Sequence, residues 1–387
     1  MILENVHIIG MDRLSNIAVS GNKISNISEG KFSADYTQPD QSIFFENAIA
    51  FPGLINSHDH LEFNLFPKLG NFVYKNYIEW GADIFKQNKP AIDAVVKIPK
   101  QLRAEWGIVK NLLNGVTTVV QHGEYFDFDD PVIDVFQNCH SLHSVRLEKN
   151  WKFKLNKRFS THLPFVIHIG EGTDAWCVGE INELIRWNLF GKKIVAVHGV
   201  AMDEQQAGSF AGLVWCPDSN YFLYNSTARI DSIKSATKIV FGTDSAVSAD
   251  WNLWQQLRLA RTTKFLNDKE LLHSLTETPA ALWELKNTAV IAEGKIADIV
   301  IARKNQEDGF ESFFQLNPED ILLVIKNGET IYFDQSLVQQ MNFVIKTKEF
   351  QKIYIGGETK FIKKNIEKII MEARKYNPDV YFPINID

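Results

Sequence analysis

Four short blocks of residues that can bind a metal ion or move a proton each end an apolar run of the sequence. They are residues 51–60 with His58-Asp59-His60, residues 166–171 with His168 and Glu171, residues 195–198 with His198, and residues 240–244 with Asp244. A residue just past a buried parallel strand projects from the carboxyl end of the sheet, so these side chains should meet there. Imidazoles and carboxylates together can hold one divalent metal ion and a catalytic water.

His58 and His60 are two residues apart, so on an extended strand both side chains point to one face while Asp59 points away. We assign both histidines as ligands of one metal ion, with a buried hydrogen-bonded pair as the alternative. Glu171 lies three residues past His168, where desolvation would raise the pKa of its carboxyl and suit it to exchange protons. A glutamate that only interacts with the dipole of the next helix is the alternative.

In this order the blocks resemble the amidohydrolase superfamily, specifically its cytosine deaminase and chlorohydrolase-like branch. Four further stretches carry the same resemblance: residues 115–120 (GVTTVV), 214–220 (VWCPDSN), 278–282 (TPAAL) and 294–300 (GKIADIV). The resemblance covers residues 1–335 and leaves out only the tail.

The resemblance implies a role for each residue of the blocks. His168 would be the third nitrogen ligand, and Asp244 both a ligand and the base that takes a proton from the water. Glu171 would carry a proton from water to a ring nitrogen. His198 would hydrogen-bond the water or the oxyanion, where charge builds up, although a fourth nitrogen ligand stays open.

Four other residues are assigned to substrate binding. His122 and Glu62 follow strand-like runs and face the mouth of the expected barrel, although each could equally be a loop residue in contact with water. Trp176 could line a flat aromatic pocket or only pack loops. Asn220 follows the Trp215-Cys216-Pro217 turn, where the resemblance also implies polar groups that position neighbours of the site.

The resemblance also bears on the number of metal ions. Two-metal members of the superfamily carry a modified lysine on a middle strand, and Lys149 is the one candidate near that place. Since no lysine lies inside an apolar run there, we expect one divalent ion, with zinc favoured over iron.

Charge and hydropathy limit the classes of partner that the protein could bind. The 387 residues carry 41 basic and 47 acidic side chains, a net charge of −6, so there is no basic field to hold nucleic acid. No apolar segment approaches the ~20 residues that span a bilayer, and the amino terminus lacks the pattern of a signal peptide. We expect a cytoplasmic protein that acts on a small molecule without membrane or nucleic acid; assembly into a homo-oligomer stays open.

The predicted fold is α/β, a TIM-like (β/α)8 barrel with a small flanking β-sandwich domain built from both chain ends. The expected units are residues 1–48 (first part of the sandwich), 49–286 (barrel), 287–345 (second part of the sandwich) and 346–387 (a strand pair and a helix). Seven barrel strands are expected to end near His60, His122, Arg146, His168, His198, Cys216 and Asp244. Because a closed barrel needs eight, we expect the barrel to be distorted or short of one unit between Arg146 and Leu163.

The favoured function is metal-dependent hydrolysis of a non-peptide carbon–nitrogen bond, with deamination of a small amino-heterocycle as the predicted reaction. Hydrolysis of a cyclic amide or carbamate-type ring uses the same groups and is the alternative. A catalytically inactive protein that binds a small molecule is the third hypothesis. It is disfavoured because every polar position of the pattern is filled.

Overall fold

The computed structural model of the protein describes residues 1–11, 13–29, 42–157, 162–341 and 349–386. Its strands are β1 (Ile2–Ile8), β2 (Leu14–Ser20), β3 (Lys23–Ser28), β4 (Ser42–Phe44), β5 (Ala48–Pro52), β6 (Leu54–Asp59), β7 (Val116–Gln121), β8 (Asp134–Phe136), β9 (His140–Ser144), β10 (Phe165–Ile169), β11 (Ile194–His198), β12 (Gly212–Trp215), β13 (Lys238–Phe241), β14 (Ile299–Arg303), β15 (Ile321–Lys326), β16 (Glu329–Asp334), β17 (Gln351–Ile355) and β18 (Glu358–Ile362).

Its helices are α1 (Tyr77–Gln87), α2 (Lys89–Val96), α3 (Lys100–Leu113), α4 (Trp151–Leu155), α5 (Ala175–Trp187), α6 (Glu204–Ala207), α7 (Pro217–Tyr224), α8 (Ile230–Ile233), α9 (Leu253–Thr262), α10 (Asp268–His273), α11 (Glu277–Leu282), α12 (Gly309–Phe314), α13 (Val338–Met341) and α14 (Ile366–Tyr376). Within the described parts of the chain, no helix is long and apolar enough to cross a membrane.

Eight parallel strands form two sheets that carry the site. Strands β6, β7 and β8 form one sheet, and β13, β12, β11, β10 and β9 form the other in that order. Strands β10 and β11 read Phe-Val-Ile-His-Ile and Ile-Val-Ala-Val-His, and every residue in them is buried. Such continuous apolar runs are typical of parallel strands covered on both faces.

The prediction that the missing barrel unit lies between Arg146 and Leu163 was wrong. The extra strand, β8, comes before β9 and is three residues long, with three residues between the two. Between Arg146 and Leu163 the structure describes a five-residue helix, α4, while residues 158–161 lie outside the described chain. A loop of three residues cannot hold a crossover helix, so the reduced unit is the one that follows β8.

A third sheet, of ten strands, uses both ends of the chain. Its order is β17-β18-β16-β15-β14-β5-β1-β2-β3, with β4 paired to β1. The β14–β5 pairing joins residues far apart in the sequence, Ile299 to Pro52 and Arg303 to Ala48. The Phe51 ring packs edge-on against Trp254 of α9, with ring centres 5.9 Å apart, and so ties this sheet to the helices around the parallel strands.

Candidate active site

Three imidazoles converge at the carboxyl ends of the parallel strands. His58 is near the end of β6, His60 follows that strand, and His168 is near the end of β10. The Nε2 atom of His168 lies 3.2 Å from Nε2 of His60 and 3.3 Å from Nε2 of His58. The structure therefore brings together the three nitrogens that the sequence assigned to a metal ion.

The Nδ1 atoms of His60 and His168 already form hydrogen bonds with backbone carbonyl oxygens. Nδ1 of His60 lies 2.8 Å from the carbonyl oxygen of His122, and Nδ1 of His168 lies 2.9 Å from that of His143. A carbonyl oxygen can only accept, so both Nδ1 atoms carry the proton and both Nε2 atoms present lone pairs to the centre. These carbonyls fix the tautomers that a metal ligand requires.

His122 likewise fixes the tautomer of His58. Its Nε2 donates to the Leu142 carbonyl oxygen at 3.1 Å, so its Nδ1 is left as an acceptor, 3.3 Å from Nδ1 of His58. His58 then donates through Nδ1 and keeps its Nε2 lone pair. Three lone pairs that face one another cannot form hydrogen bonds among themselves, and a cation between them would satisfy all three.

Asp244 provides a carboxylate at the same point. It follows β13, and its Oδ1 lies 3.8 Å from Nε2 of His58. The Ser245 N–H donates to Oδ1 at 2.7 Å, while the hydroxyls of Ser219 and Ser248 lie 2.9 and 3.1 Å from Oδ2. One oxygen thus faces the imidazoles, and the other is held by two serines.

The protonation states of these buried side chains suit the binding of a divalent cation. Burial, reinforced by neighbouring imidazoles, holds the pKa of His58 and of His168 well below the usual range, so both are neutral. Burial alone would raise the pKa of Asp244, but His198, His60 and the Ser245 N–H outweigh it and the pKa lies below its ordinary value. Three imidazole nitrogens and one carboxylate fit a zinc ion with an open position.

Glu171 and His198 lie beside this centre. Nε2 of His198 is 3.8 Å from Oε1 of Glu171 and 3.9 Å from Oδ2 of Asp244, so the imidazole stands between two carboxylates. Its Nδ1 is 2.9 Å from Oδ1 of Asn220, which sets its orientation. Burial raises the pKa of Glu171, and the Tyr224 hydroxyl donates to Oε1 at 2.8 Å. The raised pKa favours a carboxyl that can both take and return a proton.

Two of these residues have an unusual backbone. His198 has φ of 71° and Asp244 has φ of 54°, a left-handed conformation that few residues other than glycine adopt. Each such residue costs on the order of 1–3 kcal/mol, and the surrounding contacts must hold it. The two left-handed residues carry side chains that meet, with Nε2 of His198 3.9 Å from Oδ2 of Asp244.

Three residues assigned to substrate binding make internal contacts. His122 uses both ring nitrogens as described, and Asn220 holds His198. Glu62 is 3% exposed, and its Oε2 accepts from Nε2 of Gln121 at 3.0 Å. Substrate binding by these three stays a prediction that the contacts do not favour, because each observed partner holds the side chain within the protein.

Trp176 is half-buried at the first turn of α5. The Arg146 guanidinium lies 4.7 Å from its ring centre and the Tyr77 ring lies 5.9 Å away. Its assignment to substrate binding stays a prediction. Lys149, the candidate for a second metal ion, lies exposed in a turn after β9.

Sequence reasoning missed one residue beside the site, His143, and one contact within it. Tyr224 could be expected from the sequence to line an aromatic pocket or to pack loops, but its hydrogen bond to Glu171, 53 positions away, gave no local signal. His143 lies in β9 beside the centre, with its ring 5.5 Å from that of His168. The alternation His-Ser-Leu-His-Ser of β9 places His143 next to the strand end, and this pattern could have revealed it.

Comparison with known proteins shows which families and proteins this chain is similar to. A family model described as the amidohydrolase family matches residues 150–331. The 5-methylthioadenosine/S-adenosylhomocysteine deaminase of Caldicellulosiruptor saccharolyticus is 24% identical, over 87% of this chain and 94% of the relative.

Two solved structures share the fold over nearly the whole length. Atrazine chlorohydrolase from Arthrobacter aurescens TC1, complexed with zinc, has a TM-score of 0.69 at 17% identity and covers 97% of this chain and 100% of its own. An adenosine deaminase from Xanthomonas campestris with bound zinc has a TM-score of 0.67 at 16% identity and covers 98% of both. These similarities confirm the predicted resemblance to the amidohydrolase superfamily, in its deaminase and chlorohydrolase-like branch.

Proposed function

We propose that the protein is a metal-dependent aminohydrolase that removes ammonia from a small amino-heterocycle, with 6-aminopurines as the first class. The observation that carries the proposal is the meeting of three Nε2 lone pairs, from His58, His60 and His168, beside two carboxylates that flank His198. The similarity to deaminases named for adenine nucleosides supports the choice of ring.

His58, His60, His168 and Asp244 are proposed to hold one divalent ion, with zinc favoured. Such an ion lowers the pKa of a water molecule to about 7, so that hydroxide is present near neutral pH. Both structural relatives named above contain zinc, which supports zinc over iron. The half-buried Trp176 and the exposed His143 are proposed to contact the ring at the mouth of the site.

The chain's own residues then move two protons. Glu171 takes one proton from the water and passes it to the ring nitrogen beside the carbon under attack. Asp244 takes the second and returns it to the exocyclic amine, so that a carbon–oxygen bond forms, the carbon–nitrogen bond breaks and ammonia leaves. His198, oriented by Asn220, hydrogen-bonds the developing oxyanion and holds it between the two carboxyl groups.

The two parallel sheets are proposed to form one distorted eight-stranded barrel. Two hydrogen bonds support this arrangement: Asp244 N–H donates to the His58 carbonyl at 3.1 Å, and Nε2 of His122 donates to the Leu142 carbonyl at 3.1 Å. The first lies between β13 and β6, and the second between β7 and β9. The flanking sheet of ten strands would then be the predicted second domain.

Ammonia release from zinc-loaded protein tests the proposal. The substrates are 6-aminopurine nucleosides, aminopterins and aminopyrimidines, with lactam and hydantoin rings as the comparison class. Glu171→Gln should retain zinc and lose at least about 10²-fold in turnover, since an amide cannot carry a proton. Glu183→Gln, a change on α5 at a carboxylate bound to Lys152, is the matched control and should turn over normally. Ring opening of lactams without ammonia from any amino-heterocycle would contradict the proposal.

A further inference from the structure

The two halves of the candidate metal centre lie on different sheets. His58 and His60 belong to β6 and its end, whereas Asp244 follows β13 at the edge of the other sheet. Between the lower parts of these strands, the Ser274 carbonyl accepts from Phe241 N–H, and the Leu275 carbonyl accepts from Ile55 N–H. Residues 274–275 therefore bridge the two strands at these points, and nearer the site one backbone hydrogen bond, from Asp244 N–H to the His58 carbonyl oxygen at 3.1 Å, joins them directly.

A buried ion pair lies directly beneath the site at this boundary. Nζ of Lys110, from α3, is 2.8 Å from Oδ2 of Asp59, and the two residues are 1% and 0% exposed. Asn111 donates to the same Oδ2 at 2.8 Å, and Asn64 donates to Oδ1 at 2.8 Å. Asp59 thus stands between the two histidines in sequence and is fixed on the opposite face of the strand.

The same lysine reaches the strand that carries Asp244. Its Nζ lies 3.2 Å from Oγ1 of Thr243 and 3.4 Å from the carbonyl oxygen of Asp244, the residue with φ of 54°. Asn56 of β6 completes the link, because its Oδ1 accepts from Thr243 N–H at 3.0 Å and its Nδ2 donates to Thr243 Oγ1 at 2.7 Å. Side chains thus add to the single backbone hydrogen bond, from Asp244 N–H to the His58 carbonyl oxygen, that joins the two halves at this boundary.

We propose that the Asp59–Lys110 pair is a positioning device that sets the distance between the histidine half and the aspartate half of the metal centre. The inference rests on the metal-ligand assignment in the proposed function. The hydrogen bonds that Lys110 donates go to Asp59, Thr243 and the backbone carbonyl of Asp244 and not to the side chain of a metal ligand, so its positioning effect passes through these groups. Groups that orient metal ligands in this way typically change metal affinity 10–100-fold when they are removed.

A purely structural ion pair would behave differently. Replacing a buried pair by neutral groups of similar size is often harmless to stability, whereas removing one partner leaves a charge buried. The informative variant therefore removes both charges at once. The described chain offers a matched pair remote from the site: Asp334 and Lys360, in the flanking sheet, are 2.6 Å apart and 1% and 0% exposed.

The test compares the double variants Asp59→Asn/Lys110→Met and Asp334→Asn/Lys360→Met with the unchanged protein. Zinc affinity is measured by competition with a chromogenic chelator, and the absorption spectrum of bound cobalt(II) reports the coordination geometry. Urea unfolding of the metal-free proteins measures stability separately. We expect the first variant to lose 10–100-fold in zinc affinity and to change the cobalt spectrum, and the second to match the unchanged protein in both.

Two outcomes would overturn the inference. One is wild-type zinc affinity and an unchanged cobalt spectrum in Asp59→Asn/Lys110→Met. The other is an equal loss of affinity in both double variants, because that would reflect general destabilisation. Neither readout involves turnover, so failure of the deaminase proposal would appear separately, as zinc-loaded protein that releases no ammonia.

Discussion

Glu180 is a buried carboxyl whose ionisation should make the stability of the protein depend on pH. It lies in α5 and is 0% exposed. The Gly170 N–H donates to Oε1 at 2.9 Å, and the Tyr77 hydroxyl donates to Oε2 at 3.0 Å. Burial raises the pKa of Glu180 to about 7, although both hydrogen bonds oppose the rise.

The size of the change in the free energy of unfolding follows from the difference between the pKa of Glu180 in the folded and unfolded states. In the unfolded chain the ordinary pKa of the carboxyl is 4.5, so between 4.5 and about 7 the folded state keeps a proton that the unfolded state has lost. The stability that this proton provides is fully present below the unfolded pKa and is lost as pH rises through the folded pKa. At about 1.4 kcal/mol per pKa unit, the loss is on the order of 3 kcal/mol.

Glu180→Gln should remove this dependence, because the amide has nearly the same shape and cannot ionise. The free energy of unfolding in urea is measured between about pH 5 and pH 8 for both proteins, and the variant should gain on the order of 3 kcal/mol relative to the unchanged protein over that range. Glu183→Gln, three positions along α5 at a carboxylate paired with Lys152, should show no such gain. A difference between Glu180→Gln and the unchanged protein that stays constant within about 0.5 kcal/mol would refute the reasoning.

Three further predictions concern the site. His58→Ala should strip the metal while far-ultraviolet circular dichroism stays near normal, since apolar layers and not the ion form the core; loss of all secondary structure would contradict this. Tyr224→Phe should lower kcat about 10-fold or more with little change in KM, because Glu171 loses its hydroxyl donor; unchanged kcat would show that Tyr224 only packs. Gly172→Ala should destabilise the protein by about 1–3 kcal/mol in urea unfolding, because the new Cβ would clash with the Lys75 carbonyl oxygen; wild-type stability would mean that the loop can move.

Sequence reasoning located the main features because they depend on short-range patterns. Buried parallel strands read as apolar runs, and the carboxyl ends of such strands meet at one edge of the sheets. His58, His168, His198 and Asp244 each lie at such an end, so their meeting could be expected without coordinates. Which of them bind a metal ion stays a prediction.

The eighth parallel strand was expected in the wrong place for a physical reason. Strand β8 is three residues long, none of them is buried, and Asp134 interrupts the apolar residues around it, so it gives only a short and broken strand pattern in the sequence. The segment after Arg146, by contrast, is basic and mostly polar, which suggested a gap there. A strand this short is defined by its pairing with β7, and that pairing is a tertiary contact.

The amino-acid sequence by itself determined the kinds of groups at the site and the order in which the strands deliver them. Tertiary structure alone decided what each group touches. His122 fixes the tautomer of His58, Asn220 orients His198, and Lys110 pairs with Asp59 across 51 positions. Hydrophobic periodicity shows which face of an element is buried, but a buried polar side chain finds its partner through distances and rotamers set by the whole fold.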